Sequence, residues 1–235
     1  MNERTEGGAS LLSFEPIAYL RCELTEKFGV PRQSGLAPSL RARVEMTGRY
    51  AVPEAFRGLE GFSHIWLIWN FSKAVRDEWS PTVRPPRLGG NIRLGVFATR
   101  SPFRPNPIGL SCVRIERLSL DGPVPELIVT GADLMDGTPI LDIKPYVPYA
   151  DSVPDAAAGF TAEGAPKTLP VVFPDIDDRW LTAERKQAIS EVLGLDPRPA
   201  YHDEPDRIYG MAFGERDVRF TVDGERVRIT SIEKR

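Results

Sequence analysis

Short apolar segments with strand-like patterning follow one another through residues 1–150, and no segment of helical periodicity separates them. The run at 62–71 (FSHIWLIWNF) is aromatic and β-branched, so we predict a strand buried on both faces. Because a parallel sheet needs helical crossovers, this succession favours a closed or nearly closed antiparallel sheet, which also removes exposed strand edges. The predicted strands lie at 40–46, 62–71, 92–97, 110–118, 126–130 and 140–143.

The pattern changes after residue 150. Segment 151–174 is rich in Pro, Ala, Gly and Asp, which is typical of a linker or an irregular connection. Thr182 then caps a predicted helix over 183–193, which Gly194 ends. Three further predicted strands lie at 208–213, 218–222 and 226–232, with an Asp223-Gly224 hairpin between the last two.

These segments predict a mainly β protein with two domains: a single-sheeted antiparallel β-barrel over 1–155 and a small α+β domain, a helix plus a three-stranded meander, over 156–235. Two cysteines and two histidines are too few for a disulfide framework or a structural zinc site, so we expect no metal and a cytoplasmic location. The first ten residues lack a signal-peptide core, and the apolar stretch 61–72 is too short to cross a membrane, so we expect no membrane association.

The charges are distributed unevenly along the chain. Between Arg84 and Arg117 there are seven arginines, no lysine and one acidic residue, whereas 151–184 is acidic. The overall net charge of −3 argues against a protein that coats nucleic acid in bulk. The basic stretch instead points to one local site for an anionic partner.

Segment 100–109 (RSPFRPNPIG) contains three prolines within six residues. Proline fixes φ and excludes helix, so we predict a stiff loop that holds the guanidiniums of Arg100 and Arg104 and the amide of Asn106 in set directions. Arginine binds carboxylates and phosphates bidentately, and stiffness lowers the entropic cost of binding. The alternative is a proline-rich crossover whose arginines only extend into solvent.

Segment 133–139 (DLMDGTP) contains the turn signal Asp136-Gly137. A plain turn is one interpretation. The other is that its backbone amides and carbonyls hold an adenine-like or amino-acid-like group.

Segment 196–201 (DPRPAY) follows the predicted helix. Tyr201 is a candidate to stack on a base, and Arg198 to contact a phosphate. The alternative is a rigid helix stop in which Asp196 binds backbone amides.

Several longer segments share one resemblance: PRQSGL (31–36), GLEGFSHIWLIWNF (58–71), RPPRLGGNIRLGVFATRSPFRPNPIGLS (84–111), GADLMDGTPILDIKPY (131–146) and DPRPAYH (196–202). Together they resemble the TsaA/TrmO (YaeB-like) family of S-adenosylmethionine-dependent tRNA methyltransferases. The resemblance implies a single-sheeted β-barrel, a homodimer and a cofactor pocket near the subunit interface. It also implies methyl transfer to N6 of N6-threonylcarbamoyladenosine at position 37, in the tRNA anticodon loop.

The resemblance also assigns residues to the cofactor. Where relatives often carry a His-Gln pair, this chain has Ser72-Lys73, so only backbone contacts carry over directly there. The implied contacts to S-adenosylmethionine are Ser34, Gly35, Leu36, Ser72, Lys73, Arg100, Leu134, Met135, Asp136 and Gly137.

The candidate roles in substrate binding and proton transfer are assigned on the same basis. We expect Arg104 or Arg100 to bind the threonyl carboxylate, and Asp136 or a backbone carbonyl to accept a hydrogen bond from N6. Asn106 is a further candidate catalytic residue. Two alternatives stay open: a non-catalytic RNA-binding barrel, and a methyltransferase that acts on a small molecule. The candidate tRNA contacts are Arg84, Arg87, Arg198 and Tyr201.

Overall fold

The computed structural model describes residues 12–74, 78–164, 166–175, 178–198 and 204–235, with the side chain of Arg87 left aside. Twelve strands and two α-helices lie within these ranges. They are β1 (Ala18–Cys22), β2 (Arg41–Met46), β3 (His64–Asn70), β4 (Thr82–Val83), β5 (Leu94–Gly95), β6 (Ile108–Ser119), β7 (Glu126–Thr130), β8 (Pro139–Pro145), α1 (Pro148–Asp151), β9 (Val171–Val172), α2 (Ala183–Gly194), β10 (Tyr209–Phe213), β11 (Arg216–Val222) and β12 (Val227–Lys234).

Six of the strands close into a barrel in the order β1-β2-β7-β6-β3-β8, and every neighbouring pair is antiparallel. The predicted mainly β barrel is therefore confirmed. Burial alternates along β3, where Ile65, Leu67 and Trp69 point into the core while Trp66 and Ile68 are only partly buried. The expectation that this strand is buried on both faces is wrong, because the outer face of a barrel wall has no second layer over it.

Two other parts of the barrel region differ from the predictions. The predicted strand at 92–97 is only the two-residue β5, which pairs with β4 and leads into a short 3₁₀ turn at Val96–Ala98. This small hairpin belongs to a long excursion outside the barrel, so its apolar residues do not form a wall strand. The barrel strand β1 (AYLRC) has no counterpart among the predicted strands, because Ala18, Tyr19 and Leu20 follow one another without a charged residue between them and give no clear alternation.

The C-terminal region contains the expected helix and meander. Helix α2 begins after Thr182, whose hydroxyl accepts a hydrogen bond from the Arg185 backbone N–H at 3.3 Å. Two residues of the helix, Ile189 and Leu193, are fully buried on its inner face. Strands β10, β11 and β12 form the meander, and the short β9 adds a parallel fourth strand beside β12. This parallel pairing was not predicted, since two apolar residues within 151–174 give no periodic signal.

The hydrophobic core of the C-terminal region extends into the barrel's β1–β2 loop. Leu24, Ala37 and Leu40 from that loop are buried in the same cluster as α2 and the meander. Near the end of the β1–β2 loop, the Glu191 carboxylate of α2 accepts hydrogen bonds from the Ser39 backbone N–H at 2.7 Å and the Ser39 hydroxyl at 2.8 Å. The β1–β2 loop is thus held between the two cores.

Candidate functional site

Three connections that carry predicted site residues leave the same end of the barrel. Because neighbouring strands are antiparallel, the ends of β1, β3 and β7 lie beside the starts of β2, β6 and β8. The connections are the β1–β2 loop (23–40), the β3–β6 excursion (71–107) and the β7–β8 turn (131–138). The fold therefore gathers segments 34–36, 72–73, 100–106 and 134–137 at one end of the barrel.

The β1–β2 loop and the β7–β8 turn approach each other through glycine. The Gly35 N–H donates to the Gly131 carbonyl at 2.8 Å, and a Cβ on Gly131 would lie 3.4 Å from the Gly35 Cα. Gly35 has a φ of +79°, which favours glycine, and a Cβ there would meet nothing within 4 Å. Gly35 thus forms an open turn between Ser34 and Leu36.

Segment 100–109, called the Arg-Pro loop from here on, is stiffened by local hydrogen bonds as well as by proline. The Thr99 hydroxyl donates to the Val96 carbonyl at 2.9 Å, and the Phe103 N–H donates to the Ser101 hydroxyl at 3.2 Å. The Arg104 guanidinium donates to the Thr99 carbonyl at 3.1 Å. Since this carbonyl is neutral, the loop fixes the Arg104 side chain without neutralising it.

Arg100 links this loop to the β1–β2 loop. Its guanidinium donates to the Gln33 side-chain carbonyl at 2.6 Å, next to Ser34. Within the described ranges, neither Arg100 nor Arg104 forms an ion pair with a carboxylate. The hydrogen-bond partners of both guanidiniums at this end of the barrel are therefore neutral groups.

The strand ends around this loop pack through Trp69. The Phe71 N–H donates to the Pro107 carbonyl at 2.8 Å, which joins the end of β3 to the start of β6. A Cβ on Gly109 would lie 2.2 Å from the Trp69 ring, so only glycine fits there. Ser72 and Lys73, which follow Phe71 in the chain, are exposed.

The β7–β8 turn is bonded to β1 and the residues that follow it. The Asp136 N–H donates to the Leu24 carbonyl and the Gly137 N–H to the Leu20 carbonyl, both at 2.8 Å. Asp136 Oδ1 accepts from the Cys22 backbone N–H at 3.1 Å. One carboxylate oxygen of this candidate acceptor is therefore engaged within the fold. Leu134 is buried in the barrel core, so its side chain is not accessible to a ligand.

Cys22 lies under the same turn. Burial raises the pKa of the Cys22 thiol to about 12, so the thiol stays protonated at neutral pH.

Asp133 was not among the predicted site residues. Its Oδ1 accepts a hydrogen bond of 2.5 Å from the Ser111 hydroxyl, which in turn accepts one of 3.0 Å from Trp69 Nε1. Burial raises the pKa of the Asp133 carboxyl, while the Ser111 hydrogen bond and the charge of Arg100 act in the opposite direction. The only sequence signal was an acidic residue between apolar Ala132 and Leu134, directly after a predicted strand.

The structure describes the side chains of two of the four candidate tRNA contacts, Arg84 and Arg198. Arg84 is exposed after β4. The side chain of Arg87 and all of Tyr201 lie outside the described residues. The Arg198 guanidinium binds both oxygens of Asp196, at 2.8 and 2.9 Å, and its side chain is only 10% exposed. Arg198 is thus part of an internal ion pair, which supports the rigid helix stop as its role.

The comparisons with known proteins decide the family. The family model for the tRNA-methyltransferase O N-terminal domain matches residues 19–152, and the TrmO C-terminal domain model matches residues 166–235. The chain belongs to the TrmO family.

Relatives of TrmO type match over nearly the whole chain. The tRNA (adenine(37)-N6)-methyltransferase of Escherichia coli strain K12 is 41% identical over 96% of this chain and 100% of its own. A Pseudomonas aeruginosa protein, provisionally named S-adenosylmethionine-dependent methyltransferase RcsF, is 44% identical over 88% of this chain and 91% of its own. The crystal structure of TrmO from Pseudomonas aeruginosa matches with a TM-score of 0.79 at 36% identity, covering 95% of this chain and 98% of that one.

Two further observations concern other kinds of site. In the described part of the chain, no group of three or more His, Cys, Asp or Glu residues is arranged to hold a metal ion. None of the helices in those same ranges is long and apolar enough to cross a membrane.

Proposed function

We propose that this chain transfers a methyl group from S-adenosylmethionine to N6 of N6-threonylcarbamoyladenosine at position 37 of tRNA. Membership of the TrmO family and the names of the relatives support the cofactor, the tRNA and the adenine N6. One observation in the structure supports an acidic substrate: in a stiff loop, the hydrogen-bond partners of Arg100 and Arg104 are both neutral groups. A threonyl carboxylate matches such a guanidinium in charge and geometry.

The residues at this end of the barrel fit the cofactor. The turn at Gly35 leaves open space where a side chain would lie, and Arg100 supplies a cation for the carboxylate of the methionine moiety. When bound, S-adenosylmethionine would supply a methyl carbon already activated by the sulfonium. The residues proposed to hold it are Ser34, Gly35, Leu36, Ser72, Lys73, Arg100, Leu134, Met135, Asp136 and Gly137.

The remaining task of the protein is orientation. Alignment of N6 with the methyl carbon and sulfur can lower the barrier by up to about 7–11 kcal/mol. Arg104 would hold the threonyl carboxylate, and the Asn106 amide beside it would donate a further hydrogen bond. For the N6 proton we propose Asp136 Oδ2 or a carbonyl of the β7–β8 turn, because Oδ1 already accepts from Cys22.

We propose fewer tRNA contacts than the sequence predicted. Arg84 is exposed and available for an anticodon-loop phosphate, and Arg87 and Tyr201 stay candidates from the sequence. Arg198 is left out because its charge is matched by Asp196 inside the fold.

A homodimer, proposed from the resemblance, agrees with exposed apolar side chains near the site. Trp79, Phe97, Ile108 and Leu110 are 55%, 74%, 42% and 51% exposed. Monomers rarely leave a large apolar patch exposed, so a second copy of this chain is the proposed partner. Light scattering should give twice 26.2 kDa for the native protein, and Phe97→Glu should shift it toward a single chain. A native monomer that binds the cofactor at full affinity would contradict the expectation that the cofactor pocket lies near the subunit interface.

The deciding experiment treats tRNA carrying N6-threonylcarbamoyladenosine with the purified protein and S-adenosylmethionine. Nucleoside mass spectrometry should show a gain of one methyl group on that nucleoside only. Calorimetry with S-adenosylmethionine separates the alternatives, because a non-catalytic RNA-binding barrel should give no heat. Cofactor binding without tRNA methylation would favour a small-molecule acceptor.

A further inference from the structure

Asp133 sits at the centre of a polar chain that crosses the proposed site. On one side, Ser111 and Trp69 connect it to the barrel interior through hydrogen bonds of 2.5 and 3.0 Å. On the other side, the backbone N–H of Ser34 and the charge of Arg100 both favour its ionised form. These contacts join β3, β6, the β1–β2 loop and the Arg-Pro loop.

Satisfying Ser111 does not explain a carboxylate at this position. The Ser111 hydroxyl is completely buried, and it already accepts from Trp69, so it needs one acceptor for its own proton. A neutral oxygen would serve and would avoid the cost of removing a charge from water. Asp133 has no ion pair among the described residues, and burial raises its pKa. A carboxyl group in this part-buried position beside a cluster of site residues points to function.

The neighbouring backbone explains what the charge can control. The β1–β2 loop approaches the strand end before Asp133 through the 2.8 Å hydrogen bond from Gly35 to Gly131. Arg100 is tied to the same loop by Gln33 at 2.6 Å. The carboxylate therefore lies where it can draw both the Ser34 backbone and the Arg100 guanidinium toward one point.

We propose that Asp133 is a positioning residue that holds the 34–36 loop and Arg100 in the arrangement that receives the cofactor. This inference rests on the function proposed above. We place proton exchange with the substrate at Asp136 or the β7–β8 turn, as proposed above, and give Asp133 no part in it. Its charge acts through the loop and the arginine, which would touch the methionine moiety.

Asp133→Asn tests the inference, since asparagine keeps the shape and an acceptor for Ser111 but removes the charge. The KM and the calorimetric Kd for S-adenosylmethionine should rise at least tenfold, while kcat at saturating cofactor changes less than threefold. The melting temperature should stay the same or rise, because a desolvated charge is lost. Asp121→Asn is a matched control: Asp121 also accepts from a serine of β6, Ser119 at 3.3 Å, but it is exposed and far along the strand.

Hydrogen exchange of the protein without ligand gives an independent readout. Asp133→Asn should raise the exchange rate of the amides of residues 34–36 at least tenfold, and Asp121→Asn should not. Unchanged exchange and unchanged cofactor affinity in Asp133→Asn would overturn the positioning role. Faster exchange with unchanged affinity would overturn its link to the cofactor. If the native protein binds no S-adenosylmethionine, the proposed function itself fails, whatever the exchange shows.

Discussion

Two proline-flanked arginine segments of this chain look alike in sequence and differ in structure. In the Arg-Pro loop, Arg100 and Arg104 bind only a neutral amide and a neutral carbonyl. After α2, Arg198 donates from two of its guanidinium nitrogens to the carboxylate of Asp196. The difference lies in one neighbouring residue, because segment 100–107 contains no acid, whereas Asp196 precedes Arg198 by two positions. Proline stiffens both segments. Asp196 forms an ion pair with Arg198, whereas no acid within segment 100–107 pairs with Arg100 or Arg104.

The largest expected effect separates Arg104 from arginines outside the site. Arg104→Ala should lower kcat/KM for methylation of modified tRNA by about 10–100-fold, the usual worth of a hydrogen bond to a charged group. The melting temperature should hardly change, because the lost partner is only the Thr99 carbonyl. Arg114→Ala, which removes an exposed arginine of β6, is the control. Equal turnover by the Arg104 variant and the native protein would place Arg104 outside the site.

The second prediction removes the carboxylate from the substrate instead of the arginine from the protein. The native protein should methylate tRNA that lacks the threonylcarbamoyl group about 10–100-fold less efficiently, because Arg104 then has no anionic partner. In Arg104→Ala the two tRNAs should react at nearly equal rates, measured as kcat/KM by nucleoside mass spectrometry. A native enzyme that treats both tRNAs alike would contradict the charge match.

The third prediction concerns the paired arginine. Arg198→Met should lower the free energy of unfolding by about 1–2 kcal/mol, since the ion pair is partly exposed, and leave methylation at 20 °C unchanged. The melting temperature should fall by about 3–6 °C. Asp196→Asn is the matched partner variant, because Asn tolerates the φ of 49° at this position, and it should destabilise the protein to a similar extent. A selective loss of tRNA affinity in Arg198→Met would contradict the contrast between Arg198 and the arginines of the Arg-Pro loop, since it would place Arg198 on the tRNA surface.

The smallest effect is electrostatic. Arg84→Ala should reduce the slope of log affinity for tRNA against log salt concentration by about 0.7–0.9, the value for one lost phosphate contact. Arg198→Met should leave that slope unchanged, since its charge is already compensated. Filter binding from about 50 to 200 mM salt measures both slopes. Identical slopes in Arg84→Ala and the native protein would remove Arg84 from the tRNA surface.

Local patterns predicted the strands and α2 well, because alternation and caps are written in neighbouring residues. Thr182 and Gly194 delimit α2 within one residue of the prediction, and β7 occupies exactly the predicted positions 126–130. The short strands β1 and β9 were missed, because their pairing depends on distant partners.

The same limit applies to the candidate site. The Arg-Pro loop was visible in the sequence because its stiffness comes from its own prolines. Asp133 was not, since its importance arises from Ser111, which lies 22 residues away along the chain. The role of Arg198 was undecided for a related reason: only the backbone turn at Asp196 brings both carboxylate oxygens to its guanidinium.

The shortest ladder of the barrel is also the edge to which the β7–β8 turn is fastened. Strands β1 and β8 share only two paired positions, and one of them places Tyr19 opposite Pro139, which has no N–H to donate. The bonds of Asp136 and Gly137 to Leu20, Cys22 and Leu24 continue this seam beyond the strands. One set of bonds therefore closes the cylinder and shapes the turn proposed to grip the ligand. Substitutions that weaken these bonds would therefore loosen the turn and the closure of the barrel together.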